Sequence, residues 1–210
     1  MIDAPGFALR EIELYERPVV LRLPFRFGVV TLTESPQAFV RARIELPDGK
    51  STWGAAAEMM APKWFDKNLQ LSNEDNFQQL RDVLVMARSR YLGDVSTATA
   101  FGHFARHYDG HLAACAAKGH NALLANYGPA LIDRAVLDAL CRAKGVSFYA
   151  AMRSNLAGIG AERPEFAALD LESFLAGLRH APSIEARHTV GQCRPIAGEQ
   201  WIVAAGGAGR

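Results

Sequence analysis

The sequence GPALIDRAVLDAL, at residues 128–140, has apolar side chains on two sides of one helix. Pro129 occupies a first-turn position, where the missing N–H of proline costs nothing. A helix that is apolar on two sides has to be covered on both of them. We therefore expect this helix to lie between two other layers of the protein. The apolar positions that define it are Leu131, Ala135, Val136, Ala139, Leu140 and Ala143.

The chain before this helix begins with the pattern of a three-stranded antiparallel sheet. Residues 8–23 are rich in Ile, Leu, Val and Tyr, and the sequence Pro-Phe-Arg-Phe-Gly then predicts a loop over residues 24–28. Residues 37–46 alternate apolar and charged side chains with a period of two, which is typical of a half-buried strand. Residues 47–49, Pro-Asp-Gly, predict a tight turn, and the third strand starts at residue 51.

Two helices are predicted between this sheet and residue 128. The first begins at Ser72, whose hydroxyl can form a capping box with Asp75, and ends at Gly93. The second covers residues 97–118, is rich in alanine, and is expected to be interrupted near Gly110. The first helix has one apolar stripe, formed by Phe77, Leu80, Leu84, Ala87 and Tyr91.

The end of the chain predicts a further short helix and one more strand. Residues 184–191 predict a buried strand with Arg187 and His188 near its C-terminal end. Residues 192–210 contain many small side chains, which bury too little surface to offset the ordering entropy, so an irregular tail is expected. The predicted fold class is α+β. The short helix at residues 170–178 is expected to pack Leu171, Phe174, Leu175 and Leu178.

Composition and charge exclude several functional classes. Half of the 210 residues are hydrophobic, which suits one sizeable domain, or one domain and a piece of another. The 23 basic and 22 acidic residues are scattered, so no patch for nucleic acid or for an anionic membrane is expected. An odd number of cysteines, Cys115, Cys141 and Cys193, favours reduced thiols in a cytoplasm. Neither a signal peptide nor a long apolar span is present, and we expect a soluble protein.

Three segments together resemble the N-terminal capping domain of the enolase superfamily, in its mandelate racemase and muconate lactonizing branch. They are PFRFG at residues 24–28, WGAAAE at residues 53–58 and GPALIDRAVLDAL at residues 128–140. The resemblance covers roughly residues 8–191. It implies a capping domain at residues 1–127, barrel-approach helices and the first strand of an incomplete (β/α) barrel at residues 128–191, and the tail at residues 192–210.

The resemblance also implies a chemistry for the complete enzyme. Such enzymes remove a proton beside a substrate carboxylate, while Mg²⁺ held by the barrel stabilises the charge that develops. Racemases, cycloisomerases and acid-sugar dehydratases act in this way. The partner would be a small carboxylate such as an acid sugar. The loops after the first strand and after the hairpin would contact it, through Phe25, Arg26, Phe27, Gly28, Trp53, Glu58, Met59, Met60, Lys63 and Trp64.

Each of these assignments has a simpler structural alternative. Arg26 also fits a surface arginine flanked by two core aromatics. Trp53, Met59, Met60 and Trp64 are residue types that form cores more often than pockets. His188 would lie near the substrate in the complete enzyme, because barrel enzymes carry functional groups at the C-terminal ends of their strands. The alternative is that His188 is only a polar residue at a strand end.

The sequence departs from the family where the metal and the base should be. The family needs three acidic ligands on barrel strands and a lysine or histidine base. No lysine follows Lys144, and Asp170, the only aspartate after Asp138, lies at a helix start. We therefore expect no catalytic residue and no bound Mg²⁺ in this chain, which would be inactive alone. A truncated or frame-shifted product is the corresponding expectation.

Two other hypotheses remain open. His103, His107 and His111 recur every four residues, so they share one helix face and could bind zinc, or they form a solvated histidine face. The chain could also be a binding or oligomerisation module that buries a barrel-facing surface, including Ala139 and Leu140, against another chain. A homo-oligomer is one form of that assembly.

Overall fold

A computed structural model describes residues 4–28, 30–160, 163 and 168–186. Three antiparallel strands form one sheet in the order β1-β2-β3. The predicted α+β fold, with a three-stranded meander followed by helices, is confirmed. The strands are β1 (Ala8–Phe27), β2 (Val30–Glu45) and β3 (Ser51–Met59), and the helices are α1 (Asn73–Leu92), α2 (Ala100–Ala116), α3 (Ala122–Ala125), α4 (Tyr127–Lys144), α5 (Phe148–Arg153) and α6 (Leu171–Gly177).

The first two strands are longer than the sequence indicated. The predicted loop over residues 24–28 is wrong, because β1 continues to Phe27 and pairs there with Val30. β1 is an edge strand, where a proline is tolerated, and the register shift between Val20 and Phe25 accommodates Pro24. The pairing of β2 with β3 stops at Gln37. Residues 18–28 and 30–35 therefore form a two-stranded extension beyond β3, called here the hairpin arm.

The turn between β2 and β3 is confirmed in detail. Gly49 has a φ of 80°, a conformation that glycine adopts without steric cost. Its N–H donates to the Leu46 carbonyl at 2.9 Å, and the Lys50 N–H donates to Asp48 Oδ1 at 3.0 Å. The aspartate thus holds the turn that places β3 beside β2.

The two helices after the sheet agree with the sequence pattern except at one point. Ser72 and Asp75 form the predicted capping box of α1, and every residue of its apolar stripe is buried. The predicted interruption of α2 near Gly110 is wrong, because α2 is continuous. Glycine costs only about 1 kcal/mol in a helix. At Gly110 the missing Cβ leaves room for the guanidinium group of Arg90, whose Nη1 would lie 2.5 Å from a Cβ there.

Helix α4 lies between the sheet and α1, as predicted. A Cβ built on Gly54 of β3 would lie 2.1 Å from the backbone nitrogen of Ala139, so the helix rests directly on the strand. On its other side, a Cβ on Gly128 would lie 2.6 Å from the Val83 carbonyl oxygen of α1. The expected barrel-facing surface with Ala139 and Leu140 is therefore wrong, because the domain's own sheet and helices bury both residues completely.

The last described residues differ from the expected packing. In α6, Leu175 is buried as predicted, but Phe174 is 65% exposed. Ile184 is 90% exposed, and residues 184–186 are not in a strand; none of the described strands pairs with them. Arg187 and His188, with the rest of the predicted strand and tail, lie outside the described residues. The domain boundary at residues 127 and 128 stays a prediction.

Candidate functional site

The end of β1 and the segment after β3, both assigned to the substrate by the sequence resemblance, meet at one end of the sheet. β1 ends at this end, β2 begins there and β3 ends there, because the strands are antiparallel. The ring of Phe27 lies 6.3 Å from the ring of Trp64, edge to face, and 5.8 Å from the ring of Phe25. Phe25, Phe27 and Trp64 are called here the aromatic cluster. Trp64 is 60% exposed, so this cluster borders solvent.

Backbone contacts attach the segment after β3 to the hairpin arm. The Met60 N–H donates to the Pro36 carbonyl at 2.9 Å, and the Ser35 hydroxyl donates to the Met60 carbonyl at 2.8 Å. The Met60 side chain is fully buried in the core. The position of Trp64 next to the arm therefore follows from hydrogen bonds that fix the start of its segment.

Lys63 has a structural task at the same end of the sheet. Its φ of 60° is unusual for a residue with a side chain, and its N–H donates to Asn76 Oδ1 at 3.1 Å. Its ammonium group donates to the carbonyl of Asn68 at 3.0 Å and to that of Leu71. The ammonium group thus holds the turn that leads into α1.

Arg26 lies on the arm beside the aromatic cluster but on its opposite face. Successive side chains of a strand alternate between faces, so Arg26 projects away from the side that carries Phe25 and Phe27. It is half-buried, and no described residue forms an ion pair or hydrogen bond with it. A guanidinium group without a partner can take a carboxylate in a bidentate pair.

Trp53 lies far from this end of the sheet. Met59 lies six positions further along β3, which corresponds to about 20 Å of extended strand. Its ring contacts two arginines of β2, with Arg41 Cζ at 4.4 Å and Arg43 Cζ at 5.9 Å from the ring centre. Trp53, Met59, Met60 and Trp64 therefore do not form one apolar group.

The carboxylate of Glu58 is engaged by helix α4. Its Oε2 lies 3.1 Å from Arg134 Nη2, and both side chains are about half exposed. The hydroxyl of Tyr127 is buried without a hydrogen-bond partner among the described residues. Burial, and then the nearby Glu58 carboxylate, raise the pKa of Tyr127. The end of β3, which carries Glu58, is thus tied to α4 by a charge pair.

The histidines of α2 are buried, so the predicted solvated face is wrong. This side of α2 packs against the start of β1 and against α3. His103 Nε2 donates to the Phe7 carbonyl at 2.9 Å, and His111 Nε2 donates to the Ala125 carbonyl at 2.9 Å. The ring of His107 stacks on that of Tyr91 at 4.7 Å. Burial lowers the pKa of all three imidazoles.

The described residues do not fit a metal ion. Mg²⁺ takes several oxygen ligands, and Zn²⁺ takes three or four nitrogen, sulfur or carboxylate ligands. Within residues 4–28, 30–160, 163 and 168–186, no group of three histidine, cysteine, aspartate or glutamate side chains could hold an ion. The zinc hypothesis for the histidine row therefore gains no support. No chemical step is assigned to a metal on this part of the chain.

Sequence reasoning missed one acidic residue. Asp133 lies within the apolar sequence of α4, and the Tyr91 hydroxyl donates to its Oδ1 at 3.0 Å. Burial raises the pKa of Asp133 to about 7, although the Tyr91 hydrogen bond acts in the opposite direction. A carboxyl group with such a pKa is a candidate for a functional site. The signal available in the sequence was one acidic residue between the apolar pairs Leu131-Ile132 and Ala135-Val136.

No helix in the described part of the chain is long and apolar enough to cross a membrane. No protein-family model matches the chain, and no curated protein matches it. Among solved structures, the chain is similar to an enolase from Bradyrhizobium in complex with magnesium and mandelic acid. The two share 13% sequence identity with a TM-score of 0.40, over 69% of this chain and 34% of that chain.

Two dipeptide epimerases are also similar in structure. The enzyme from Enterococcus faecalis, complexed with Mg and L-Leu-L-Tyr, shares 11% identity with a TM-score of 0.40, over 69% of this chain and 34% of its own. The enzyme from Cytophaga hutchinsonii, complexed with Mg and D-Ala-L-Val, shares 17% identity with a TM-score of 0.36, over 69% and 33%. The chain spans about a third of the length of these structures. The solved structures that it resembles in fold are thus enolase-superfamily members.

Proposed function

We propose that this chain is the N-terminal, substrate-specificity portion of a Mg²⁺-dependent enolase-superfamily enzyme that removes a proton α to a carboxylate. The reaction would be a racemisation, a cycloisomerisation or an acid-sugar dehydration. One observation carries the proposal: the end of β1 and the segment after β3, which the sequence resemblance assigns to the substrate, converge at one end of the sheet, where Phe27 contacts Trp64. The metal ligands and the base would come from outside the described residues.

The geometry separates two contributions to substrate binding. The aromatic cluster offers apolar surface that excludes water from a ligand. Arg26 offers a charge on the other face of the same strand, so a substrate would meet both groups only across the end of the arm. Loss of the charge should therefore reduce the preference for carboxylates without removing the apolar contact.

The remaining predicted contacts have unequal support. Gly28 follows β1 with a φ of 54° and is exposed at the tip of the arm, where it would approach a ligand closely. Glu58 and Lys63 are already engaged by Arg134 and by backbone carbonyls, so we assign them the task of shaping the loop. His188 stays a proposal for the complete enzyme.

The test is a titration of the purified chain with mandelate, a small carboxylate with an aromatic ring, in D₂O with Mg²⁺. NMR signals of the indole N–H groups, assigned through Trp→Phe variants, report binding. We expect the Trp64 signal to shift and the Trp53 signal to stay. We also expect no exchange of the mandelate α-proton. An unchanged Trp64 signal contradicts the proposed binding site, and sustained exchange by the chain alone contradicts its assignment as a specificity portion.

Charge recognition is tested separately with Arg26→Gln and the matched control Arg22→Gln. Arg22 is exposed on the same strand of the arm. We expect mandelate binding to weaken severalfold in Arg26→Gln and to stay at the wild-type level in the control. Mandelamide, which lacks the charge, should bind wild type and Arg26→Gln equally. Equal weakening by both substitutions would show that Arg26 contributes only to the general charge of the arm.

A second candidate function is assembly through the hairpin arm. Val20 and Leu23 of β1 are 78% and 67% exposed, and β1 is an edge strand. Exposed apolar side chains on a strand edge favour association with another chain. Sedimentation velocity of wild type and Leu23→Lys tests this, with Val95→Lys as the control at an equally exposed position outside the arm. A wild-type monomer at all concentrations contradicts assembly.

A further inference from the structure

A cavity of about 200 Å³, partly open to solvent, lies among α2, α4, α5 and the residues that follow α5. None of its described lining residues belongs to the hairpin arm or to the segment after β3, so it is separate from the aromatic cluster. Its lining is almost entirely apolar. The side chains that matter here are Phe101, Phe104, Leu137, Met152, Ile159 and Asp133.

Asp133 brings a carboxyl group into this apolar lining. Its Oδ1 accepts the Tyr91 hydroxyl, and no described lysine, arginine or histidine pairs with it. A carboxylate without a cation in apolar surroundings is costly, and burial accordingly raises the pKa of Asp133 to about 7. A positively charged group inside the cavity would supply the missing partner.

The size of the cavity limits what can enter. A dry cavity of roughly 150 Å³ lined by aliphatic and aromatic side chains is large enough to hold benzene. A cavity of about 200 Å³ therefore accepts one ring with a short side chain, or a branched aliphatic group of similar size. An anion would be repelled by Asp133, and a neutral hydrocarbon would leave its carboxyl group without a charge partner.

We propose that this cavity binds a small organic monocation, a primary amine with an aromatic or branched aliphatic body. Its ammonium group pairs with the Asp133 carboxylate, and its hydrocarbon part lies against Phe104, Leu137 and Ile159. The Tyr91 hydroxyl keeps its hydrogen bond to Oδ1 and orients the carboxylate. The remaining oxygen, Oδ2, is the one that receives the ammonium group.

Binding of this kind is linked to proton release. The ammonium ion needs an ionised carboxylate, so below pH 7 each binding event displaces the Asp133 proton into solvent. Affinity should therefore rise by up to tenfold for each pH unit below about 7 and level off above it. A purely hydrophobic ligand would show no such dependence.

The experiment titrates the full chain with benzylamine and follows binding by calorimetry in phosphate buffer at pH 6 and pH 8. Benzyl alcohol and benzoate are the neutral and anionic probes of the same shape. We expect benzylamine to bind several-fold more tightly at pH 8, benzyl alcohol to bind at least tenfold more weakly than benzylamine, and benzoate not to bind. Equal binding of benzylamine and benzyl alcohol, or no binding of benzylamine at pH 8, overturns the proposal.

Two variants locate the site. Asp133→Asn keeps an acceptor for Tyr91 but removes the charge, and it should weaken benzylamine at least tenfold while leaving benzyl alcohol unchanged. Asp82→Asn, at a half-buried carboxylate on α1 that accepts from Gln78 and lies outside the cavity lining, is the matched control and should bind as wild type. Leu137→Trp fills the cavity and should remove both ligands. Wild-type affinity of Asp133→Asn for benzylamine overturns the proposal. If a variant does not fold, the test is the wild-type affinity for benzylamine at pH 6 and pH 8, and equal affinities at the two pH values overturn the proposal.

Discussion

Folding favours the neutral form of the Asp133 carboxyl group over its ionised form. Burial raises its pKa from the usual 3.8 to about 7, so the folded form binds more protons between these values. Stability supplied by the neutral form is present at low pH and is lost as pH rises to about 7. Because one unit of pKa difference corresponds to about 1.4 kcal/mol, Asp133→Asn should raise the unfolding free energy at pH 8 by roughly 2 to 4 kcal/mol.

Urea unfolding of wild type and Asp133→Asn at several pH values, in a buffer without amines, measures this effect. The difference between the two proteins should be small near pH 4, grow up to about pH 7 and then stay constant. Asp82→Asn, which replaces a half-buried carboxylate on α1, should follow the wild type throughout. A difference that is the same at pH 4 and pH 8 would show that Asp133 does not titrate in this range.

Gly54 permits the closest contact between the sheet and α4. An alanine there would place its Cβ 2.1 Å from the Ala139 nitrogen and 2.2 Å from the Ala135 carbonyl oxygen. These are backbone atoms, so the helix itself would have to move. Overpacking of this kind costs about 3 kcal/mol or more, and we expect Gly54→Ala to lower the unfolding free energy by at least that amount.

Thermal unfolding followed by circular dichroism measures the Gly54→Ala effect. The control is Gly177→Ala at the end of α6, where a Cβ would meet nothing within 4 Å. That substitution should be neutral or slightly stabilising, because alanine favours the helix. A Gly54→Ala protein as stable as wild type would mean that α4 can shift away from β3 without loss.

Local features were predictable residue by residue, and buried polar groups were not. Ser72 and Asp75 were identified as a capping box because all the atoms involved lie within one turn of chain. Asp133 and His111 depend on contacts with Tyr91 and with the Ala125 carbonyl, which are distant in sequence. A periodic pattern shows which face of a helix a residue occupies, but only tertiary packing shows what covers that face.

At the scale of elements, α2 is attached to its neighbours through neutral histidines. A carbonyl oxygen can only accept, so Nε2 of His103 and of His111 carries the hydrogen, and each Nδ1 is buried without a partner among the described residues. Protonation of Nδ1 would add a hydrogen for which the described part of the chain offers no acceptor. Asp94 partly favours the charged form of His103, while Arg106 opposes it, and Arg90 opposes the charge on His111.

The expected result is a loss of stability in mild acid. Burial lowers the pKa values of His103 and His111 below the usual 6.5. In mild acid the unfolded chain therefore binds more protons at these two imidazoles than the folded protein does. Stability is complete above about pH 6.5 and falls as the pH drops below that value. The double variant His103→Gln and His111→Gln keeps an N–H donor at both sites and should lose much less stability between pH 7.5 and pH 5.

Urea midpoints at these two pH values, compared between wild type and the double variant, provide the measurement. At pH 7.5 the variant should be weaker than wild type by about 1 kcal/mol per site, because glutamine fits the space less well. His180→Gln, at an exposed histidine, should retain the acid sensitivity of the wild type. An equal loss in acid for wild type and the double variant would exclude His103 and His111 as the cause.

Element boundaries failed where a local signal competed with sheet pairing. Pro24 favoured a loop, since proline cannot donate a ladder hydrogen bond. On the edge strand β1 that donor is not needed, and pairing of Phe25 with Leu32 extends the hairpin past the proline. Gly110 was likewise taken as a helix break, although the contact with Arg90 favours a glycine there. In both cases the neighbouring element decided the outcome.

At the scale of the whole molecule, one core holds the sheet and helices α1 to α5 together. It includes Phe7 near the start of the described chain and extends to Ala151, Leu156 and Ala157. The aromatic cluster lies at the arm end of the sheet, and the amine cavity lies among the helices. Both candidate sites thus border the same rigid framework, which the sequence pattern predicted well for its strands and helices but not for the cavity.

This arrangement predicts that the fold needs little beyond residue 160. Leu175 is buried, but it lies outside the core, and α6 packs on α5. Loss of the apolar surface that Leu175 buries lowers the unfolding free energy by about 1 to 2 kcal/mol. In the ion pair between Arg163 and Asp109, the Asp109 side chain is 79% exposed, so solvent screens the pair and it adds about 1 kcal/mol. A chain shortened to residues 1–160 should therefore unfold cooperatively, with a Tm within roughly 10 °C of the full chain.

A chain shortened to residues 1–144 is the informative contrast, because it removes Ala151 and Leu156 from the core. Deleting a buried leucine costs about 2 to 5 kcal/mol, so this chain should have a much lower Tm or no cooperative transition. Near-ultraviolet circular dichroism on heating distinguishes the cases, since it reports fixed aromatic packing. If residues 1–160 also lack a cooperative transition, the core requires contacts from beyond Ile159, and the framework described for both candidate sites would have to include them.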